Sequence, residues 1–347
     1  MKEINLNVHH IIKIKIRNHK RGILSDLNSP FSYFLSNGTA QPDILVEIGD
    51  FKENKNDCTL VDHKYFVRKN YVYFEEDFGF RGWKAELSGI EEDRCVLKID
   101  YKKTNKMTLQ GMLYPDQIMY NNFLYPLLER IFLRKGYLFL HAGGVSDGGK
   151  GAVFAGRGSS YKTSLIINLV KKGFYSLGDG WVILKGKSIY SFPTSPSFFN
   201  YRVLNMTHEN PNIFHKINLA CRLISTRRKL DFISEKANLE SLFVIYRQDR
   251  DTIALERIED KNIVSDVLLV NNLLEFKIEA PCKKPVGNFM KAYEYTYPES
   301  VSSLEYEQKM REAILHSLEG VKLYRLIVPN KWREEYAEHV KNAIKGL

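Results

Sequence analysis

The octet Gly156-Arg157-Gly158-Ser159-Ser160-Tyr161-Lys162-Thr163 gathers residue types that can handle a phosphate. Glycine lets the chain turn tightly enough for successive backbone N–H groups to point inward, and the positive end of a following helix favours an anion. A lysine at the seventh position would neutralise the β- and γ-phosphates, and a hydroxyl at the eighth would take a place on Mg²⁺. Ala152-Val153-Phe154-Ala155 ahead of the octet reads as a strand, and Leu165, Ile166, Leu169 and Val170 behind it recur at helical spacing. Strand, glycine-bearing loop and helix is the order such a loop requires. One position departs from the pattern. Tyr161 stands where a glycine ordinarily precedes the lysine, and its side chain resists the positive-φ backbone that glycine adopts freely. Taken alone, the octet also reads as an ordinary strand-to-helix turn with a helix-facing lysine.

A second candidate, Asp179, follows Lys162 by seventeen residues, the length of one helix and one strand. Gly173 closes the helix, Phe174-Tyr175-Ser176-Leu177 forms the strand, and Gly178-Asp179-Gly180 interrupts before Trp181-Val182-Ile183-Leu184. An acid at that corner could hold Mg²⁺ or accept a proton from an attacking hydroxyl. An Asp between two glycines is equally a turn residue. Arg222, Arg227, Arg228 and Lys229 form a basic cluster, either a solvated face or a clamp for phosphate or an acidic substrate. Ser191 to Tyr201, with two prolines and several aromatics, reads as a loop over the site. His9, His10 and His63 read as surface or capping histidines.

The elements that must position these groups follow from periodicity. Ile12, Ile14 and Ile16 alternate with Lys13, Lys15 and Arg17 as in a half-buried strand, and Asp43–Ile48, Tyr65–Phe74, Trp83–Leu87 and Cys95–Tyr101 are further strand-like pieces. Residues 1–113 therefore read as a mainly β domain without a catalytic motif. Gln117–Arg134 carries Ile118, Met119, Phe123, Leu124, Leu127, Leu128, Ile131 and Phe132 at helical spacing and opens a second domain, 114–347. Tyr137–Leu140 is a short strand, and Ser146-Asp147-Gly148-Gly149-Lys150-Gly151 turns tightly into the strand before the octet. Downstream, Glu240–Tyr246 and Thr252–Ile258 read as a hairpin, Val301–Leu318 as a helix, Val321–Val328 as a strand and Trp332–Ile344 as a last helix. The expected class is α/β with a mainly β N-terminal part.

Composition narrows the partners. A chain of 347 residues with 44% hydrophobic and 27% charged residues has ordinary globular composition, which excludes a disordered or fibrous protein. A net charge of +10 favours anionic partners, but Lys and Arg are spread along the chain. That is expected of a solvated surface rather than a nucleic-acid interface. Cys58, Cys95, Cys221 and Cys282 form no CxxC pair, so neither a zinc site nor a redox motif is expected, and reduced thiols suit a cytoplasmic location. The opening residues lack a basic region followed by an apolar core, and no apolar run reaches the length of a membrane span.

His141-Ala142-Gly143-Gly144-Val145, then Phe154-Ala155-Gly156 to Lys162-Thr163-Ser164, then Leu177-Gly178-Asp179 resembles the kinases related to HPr kinase/phosphorylase, which share their P-loop nucleotide fold with phosphoenolpyruvate carboxykinase. The likeness covers about 45 residues closely, and the later elements in order only. It implies a domain of that fold over 114–347 and an ATP-dependent, Mg²⁺-dependent phosphotransferase. Gly156, Gly158, Ser159, Ser160, Tyr161, Lys162, Thr163 and Ser164 would bind the nucleotide. Thr163 and Asp179 would hold the metal, Asp179 would act as general base, and His141 would lie beside the transferred phosphoryl. The acceptor would be a hydroxyl of a peptide, a protein or a small molecule, and a homo-oligomer is compatible with the resemblance. Two positions differ from the family pattern, Tyr161 in the loop and Gly180 at the second aspartate. A catalytically impaired nucleotide-binding regulatory module is therefore the alternative, and a basic binding protein with an accidental octet a third.

Overall fold

The computed structural model describes residues 2–19, 31–38, 41–77, 82–102, 120–193, 232–276 and 285–346. Their helices are α1 (Tyr125–Arg134), α2 (Lys162–Lys171), α3 (Lys261–Phe276), α4 (Pro285–Thr296), α5 (Ser303–Ser317) and α6 (Tyr336–Lys345). The chain divides into two compact units, residues 1–132 with 276–308, and 133–275 with 309–347. This division falls at Phe132 rather than at residue 113, and the first unit takes back a helical segment from far along the chain. A boundary drawn from composition along the sequence has no means of detecting such a return.

The first unit is built on a sheet in the order β1-β2-β3-β8-β7-β6-β5-β4. Its strands are β1 (Lys2–Val8), β2 (Ile12–Asn18), β3 (Ile44–Ile48), β4 (Thr59–Val61), β5 (Tyr65–Arg68), β6 (Tyr71–Asp77), β7 (Gly82–Ser88) and β8 (Cys95–Lys102). The alternation in β2 is realised, with Ile12, Ile14 and Ile16 buried and Lys13 exposed. β1 was not anticipated; it pairs antiparallel with β2 through a turn in which His9 (φ 51°) and His10 (φ 61°) are left-handed. Asn7 Oδ1 accepts the His10 backbone N–H at 2.8 Å, which gives these histidines a turn-forming place. Tyr65–Phe74, read as one strand, is a hairpin, because Lys69 and Asn70 break it and Asn70 tolerates the required φ of 58°. On the apolar face Phe289 of α4 packs on Phe74 with ring centroids 5.3 Å apart.

The second unit holds β9 (Leu138–Leu140), β10 (Ala142–Asp147), β11 (Lys150–Ala155), β12 (Tyr175–Gly178), β13 (Val182–Lys185), β14 (Ser188–Ser191), β15 (Lys236–Gln248), β16 (Ala254–Ile258) and β17 (Lys322–Pro329). The expected hairpin of β10 and β11 forms, with Asp147 opposite Lys150 and a two-residue Gly-Gly turn between them. The sheet runs β12-β10-β11-β15-β14-β13-β9, with β17 parallel to β15 and β16 antiparallel to β17. The hairpin expected of Glu240–Tyr246 with Thr252–Ile258 is thereby replaced: β17 lies between the two strands. The reason is burial. Leu323, Leu326, Ile327 and Val328 of β17 are all buried, whereas Leu255 and its neighbours in β16 are exposed or half-buried, and the interior place belongs to the apolar strand. Among the described residues no helix is long and apolar enough to cross a membrane. Arg222, Arg227, Arg228, Lys229, Cys221, Cys282 and most of Ser191–Tyr201 lie outside the described residues.

Candidate functional site at the carboxyl ends of the second sheet

β11, β15 and β17 run parallel, so their carboxyl ends emerge on one edge of the second unit. In open α/β sheets that edge is where ligands bind. The octet leaves it from β11, Arg247 lies near the end of β15, and Asn330 follows β17 immediately.

The octet is a turn that delivers the chain into α2. Lys162, first residue of α2 and only 8% exposed, donates from Nζ to the carbonyls of Gly156 at 2.5 Å and Arg157 at 3.1 Å, with Ser160 Oγ at 3.5 Å. The ammonium is thus held by the curl of the loop itself. Ser164 is buried, and its carbonyl accepts from Asn168 Nδ2 at 2.9 Å. Gly158 lies at an open corner, and Ser159 has a left-handed φ of 64°. No acidic residue of α2 itself lies in its first turn; the carboxylate at this helix end comes from Asp179.

Tyr161 takes the conformation its side chain was expected to resist, with φ 66° and ψ 18° as the residue capping α2. Left-handed backbone disfavours a side-chain-bearing residue by about 1–2 kcal/mol. Offsetting contacts surround the ring. Its hydroxyl donates to the Asn330 carbonyl, the Arg247 guanidinium lies 4.5 Å from the ring centroid, and the Trp332 ring lies at 5.7 Å. Arg247 also donates to the Ser159 carbonyl at 2.9 Å and the Asn330 carbonyl at 3.1 Å.

Asp179 and His141 come from two interruptions in one ladder. Leu140 faces Val182 and Gly144 faces Gly178 on a single antiparallel register, and between these points the two stretches make no ladder pairs with each other, although Ala142 and Gly143 pair with β11. Residues 141–143 thus stand opposite 179–181. Gly178 has a φ of 145°, and a Cβ there would meet the Trp181 carbonyl at 2.3 Å, so glycine is what lets the chain turn aside and present Asp179. The Asp179 Oδ1 accepts from Thr163 Oγ1 at 3.1 Å, which joins the corner to the first turn of α2. Burial pushes the Asp179 carboxyl up to about 6, against the smaller opposing influences of the Thr163 hydroxyl and the Lys162 charge. The residue as a whole is half-buried, with its carboxyl turned to the inside of the corner.

His141 packs on Trp181, ring centroids 5.1 Å apart, and Trp181 stacks on Phe139 at 4.5 Å. Its backbone is gripped from α3. The His141 N–H donates to Asn272 Oδ1 at 2.7 Å, Asn271 Nδ2 donates to the His141 carbonyl at 2.8 Å, and Asn272 Nδ2 donates to the Phe139 carbonyl at 2.8 Å.

The structure therefore brings Gly156, Ser160 and Lys162 together, and joins Thr163 to Asp179. It sets His141 against Trp181, two residues from Asp179. Sequence reading passed over Arg247, Asn330 and Trp332 around Tyr161, and Asn271 and Asn272 beneath His141. The adjacent asparagines inside an apolar helix were the available signal for the last two. Among the described residues no group of three or more His, Cys, Asp or Glu is arranged to hold a metal. Thr163 and Asp179 can still supply two oxygen donors, which fits Mg²⁺, a cation that keeps several waters and takes further oxygens from substrate phosphates. No protein-family model matches the chain, and no curated protein matches it significantly.

Proposed function

We propose that the second unit is a nucleotide-binding domain of the HPr kinase-like P-loop class. In this reading it transfers the γ-phosphoryl of ATP to a hydroxyl of a peptide, protein or small molecule. The single observation that carries the reading is the Thr163–Asp179 hydrogen bond of 3.1 Å, which joins a carboxyl of raised proton affinity to the first turn of the helix behind a glycine-bearing loop.

Each residue has a role that its surroundings support. Backbone N–H groups of residues 158, 159 and 161–163 and the α2 dipole would receive the β- and γ-phosphates, with Lys162 Nζ neutralising them. The Asp179 carboxylate would take the proton of the acceptor hydroxyl as its oxygen bonds to the γ-phosphorus and the bond from that phosphorus to the β,γ-bridging oxygen breaks, leaving ADP. Burial raises the proton affinity of this carboxyl when no metal is bound; a bound Mg²⁺ would oppose that rise, so its worth as a base rests on its position. Mg²⁺, held by Thr163 Oγ1, Asp179, phosphate oxygens and water, would spread the charge that builds on the transferred group. His141, fixed at its backbone by Asn271 and Asn272, would stand beside that group.

Gly180 favours a second reading, a nucleotide-binding module without turnover. It lies in open space at the corner and brings no second carboxylate to a metal. One experiment separates the readings. Isothermal calorimetry with Mg·ATP is expected to detect binding in the wild-type chain, with Lys162→Met weakening it about 100-fold or more. Transfer of labelled γ-phosphate to hydroxyl-bearing peptides, proteins or small molecules then supports the kinase, and binding without transfer supports the module. Absence of binding to any Mg·nucleotide overturns both.

A further inference from the structure

We propose that Tyr161, Arg247 and the backbone of Asn330 form a latch that holds the phosphate loop open-handed, replacing the conformational freedom of the missing glycine with tethering from β15 and the end of β17. That the loop receives phosphate rests on the function proposed above. The latch itself rests on geometry alone.

A loop of this kind works when the residue before the lysine turns left-handed, because that turn aims consecutive N–H groups at one point. Glycine populates this conformation at little cost, whereas tyrosine leaves it unless something holds it there. Here three contacts converge on the residue. The phenol hydroxyl donates to the Asn330 carbonyl, just past β17. The Arg247 guanidinium lies over the ring at 4.5 Å. Trp332 closes a further side at 5.7 Å. Arg247 adds a second hold, because one of its nitrogens donates to the Ser159 carbonyl and another to the Asn330 carbonyl. Ser159 is itself left-handed, with a φ of 64°. One planar cation therefore ties both non-glycine left-handed residues of the loop to the edge of the sheet, a task the fixed fork of arginine suits better than lysine. The Ser159 carbonyl is fixed by Arg247 while the N–H of the same peptide, that of Ser160, donates back to the Arg157 carbonyl at 3.2 Å, so the guanidinium and the loop's own turn hold one peptide plane from both sides. Arg247 is thus a positioning residue: it acts on phosphate through the backbone it holds.

The tether makes a prediction that ordinary packing does not. If tethering is what sustains the left-handed turn, Tyr161→Ala, which loses the tether and keeps the backbone penalty, should bind Mg·ATP about tenfold more weakly than Tyr161→Gly, which loses both. Tyr161→Phe, which keeps the ring and loses the hydroxyl, should fall between wild type and Tyr161→Ala. Arg247→Gln should weaken binding and speed amide exchange across residues 156–164, with exchange in α3 unchanged. A loop whose tyrosine merely fills space would give equal affinities for the alanine and glycine variants and unaltered exchange in Arg247→Gln, and either result overturns the latch. If the wild-type chain binds no Mg·nucleotide, the functional reading falls. Exchange then decides alone: faster exchange of the 156–164 amides in both Arg247→Gln and Tyr161→Phe supports the latch, and wild-type rates in either overturn it.

Discussion

Both sheets pair charges across exposed strands, as Arg325 of β17 does with Glu256 of β16 at 3.2 Å, but they differ in where charge meets the interior. In the first unit, charged side chains lie on the exposed face and neutralise one another across the strands. Glu3 of β1 meets Lys15 at 3.2 Å and Arg17 at 3.2 Å on β2, and Lys98 of β8 meets Glu86 of β7 at 2.8 Å. Glu86, although only 5% exposed, also accepts from the Tyr71 hydroxyl at 2.9 Å. In the second unit, β9 is buried along its whole length and β11 along all but its first residue, and the charged groups that enter stand where strands end or break. Lys162 donates to loop carbonyls, and Asp179 accepts from the Thr163 hydroxyl within reach of the Lys162 charge, while burial opposes the carboxylate. A charge matched by its neighbours stabilises a surface. A charge whose burial opposes it at a sheet corner is one that a ligand can shift.

The largest expected effect tests the second half of that contrast. Asp179→Asn should lower phosphoryl transfer about 10²–10⁴-fold, the usual worth of a positioned base, and should weaken Mg·ATP binding by calorimetry far less, because asparagine keeps one oxygen donor for the metal. Wild-type turnover in this variant would mean that the Asp179 carboxylate is a structural corner and nothing more. The same substitution should raise stability. With its folded-state pKa lifted from 3.8 to about 6, Asp179 binds its proton more tightly folded than unfolded. Its protonated form therefore favours folding at low pH, and that contribution is lost as pH rises from about 4 through about 6. In EDTA, the wild type should be less stable than Asp179→Asn at pH 7 by up to about 3 kcal/mol, and the gap should close toward pH 4. Denaturant melts of both chains at the two pH values measure it. A gap independent of pH would sever the stability cost from the carboxylate.

Next in size is the close approach that brings the two ladder interruptions together. Gly143 lies in β10, and a Cβ there would meet Ile166 Cδ1 of α2 at 2.0 Å and the Gly178 carbonyl at 3.2 Å. Gly143→Ala should destabilise the second unit by about 1–3 kcal/mol as α2 is pushed off the sheet, and should weaken nucleotide binding with it. Thermal unfolding and calorimetry on the same preparation check both. Loss of stability with unchanged binding would show that the loop tolerates displacement of its helix.

How far the sequence disclosed this depended on whether a feature is local. β2, α2 and the β10–β11 hairpin were legible because alternation, helical spacing and a Gly-Gly turn each act within a few residues. Lys162, Thr163 and Asp179 were legible as candidates for the same reason. What failed was long-range. β15 and β16 looked like a hairpin because they are neighbours in sequence, yet β17, more than sixty residues later, carries the apolar side chains that win the place between them. Tyr161 looked like a fault because its compensation comes from Arg247 and Asn330, which no pattern around the octet announces. Helices α3 and α4 were passed over, as was the return of 276–308 to the first unit, which depends on contacts made only once the chain has folded.

The smallest expected effect sharpens the other half of the contrast by making one substitution in two places. Lys162→Met removes a buried ammonium whose partners are loop carbonyls, so its consequence is expected in phosphate affinity. Lys98→Met removes an ammonium of similar chemistry from the exposed face of the first unit, where about a third of the side chain meets solvent. Solvent screens that ion pair, and Glu86 keeps the Tyr71 hydroxyl. The methionine also retains most of the apolar stem. The loss should be no more than about 1 kcal/mol, with Mg·ATP affinity of the folded chain unchanged. Urea melts at low and high salt decide it, because the difference between wild type and Lys98→Met should shrink as salt rises. A larger, salt-insensitive loss would mean that Glu86 is buried deeply enough to depend on Lys98 for its charge, and the first sheet would then hold a carboxylate that burial opposes as it does Asp179.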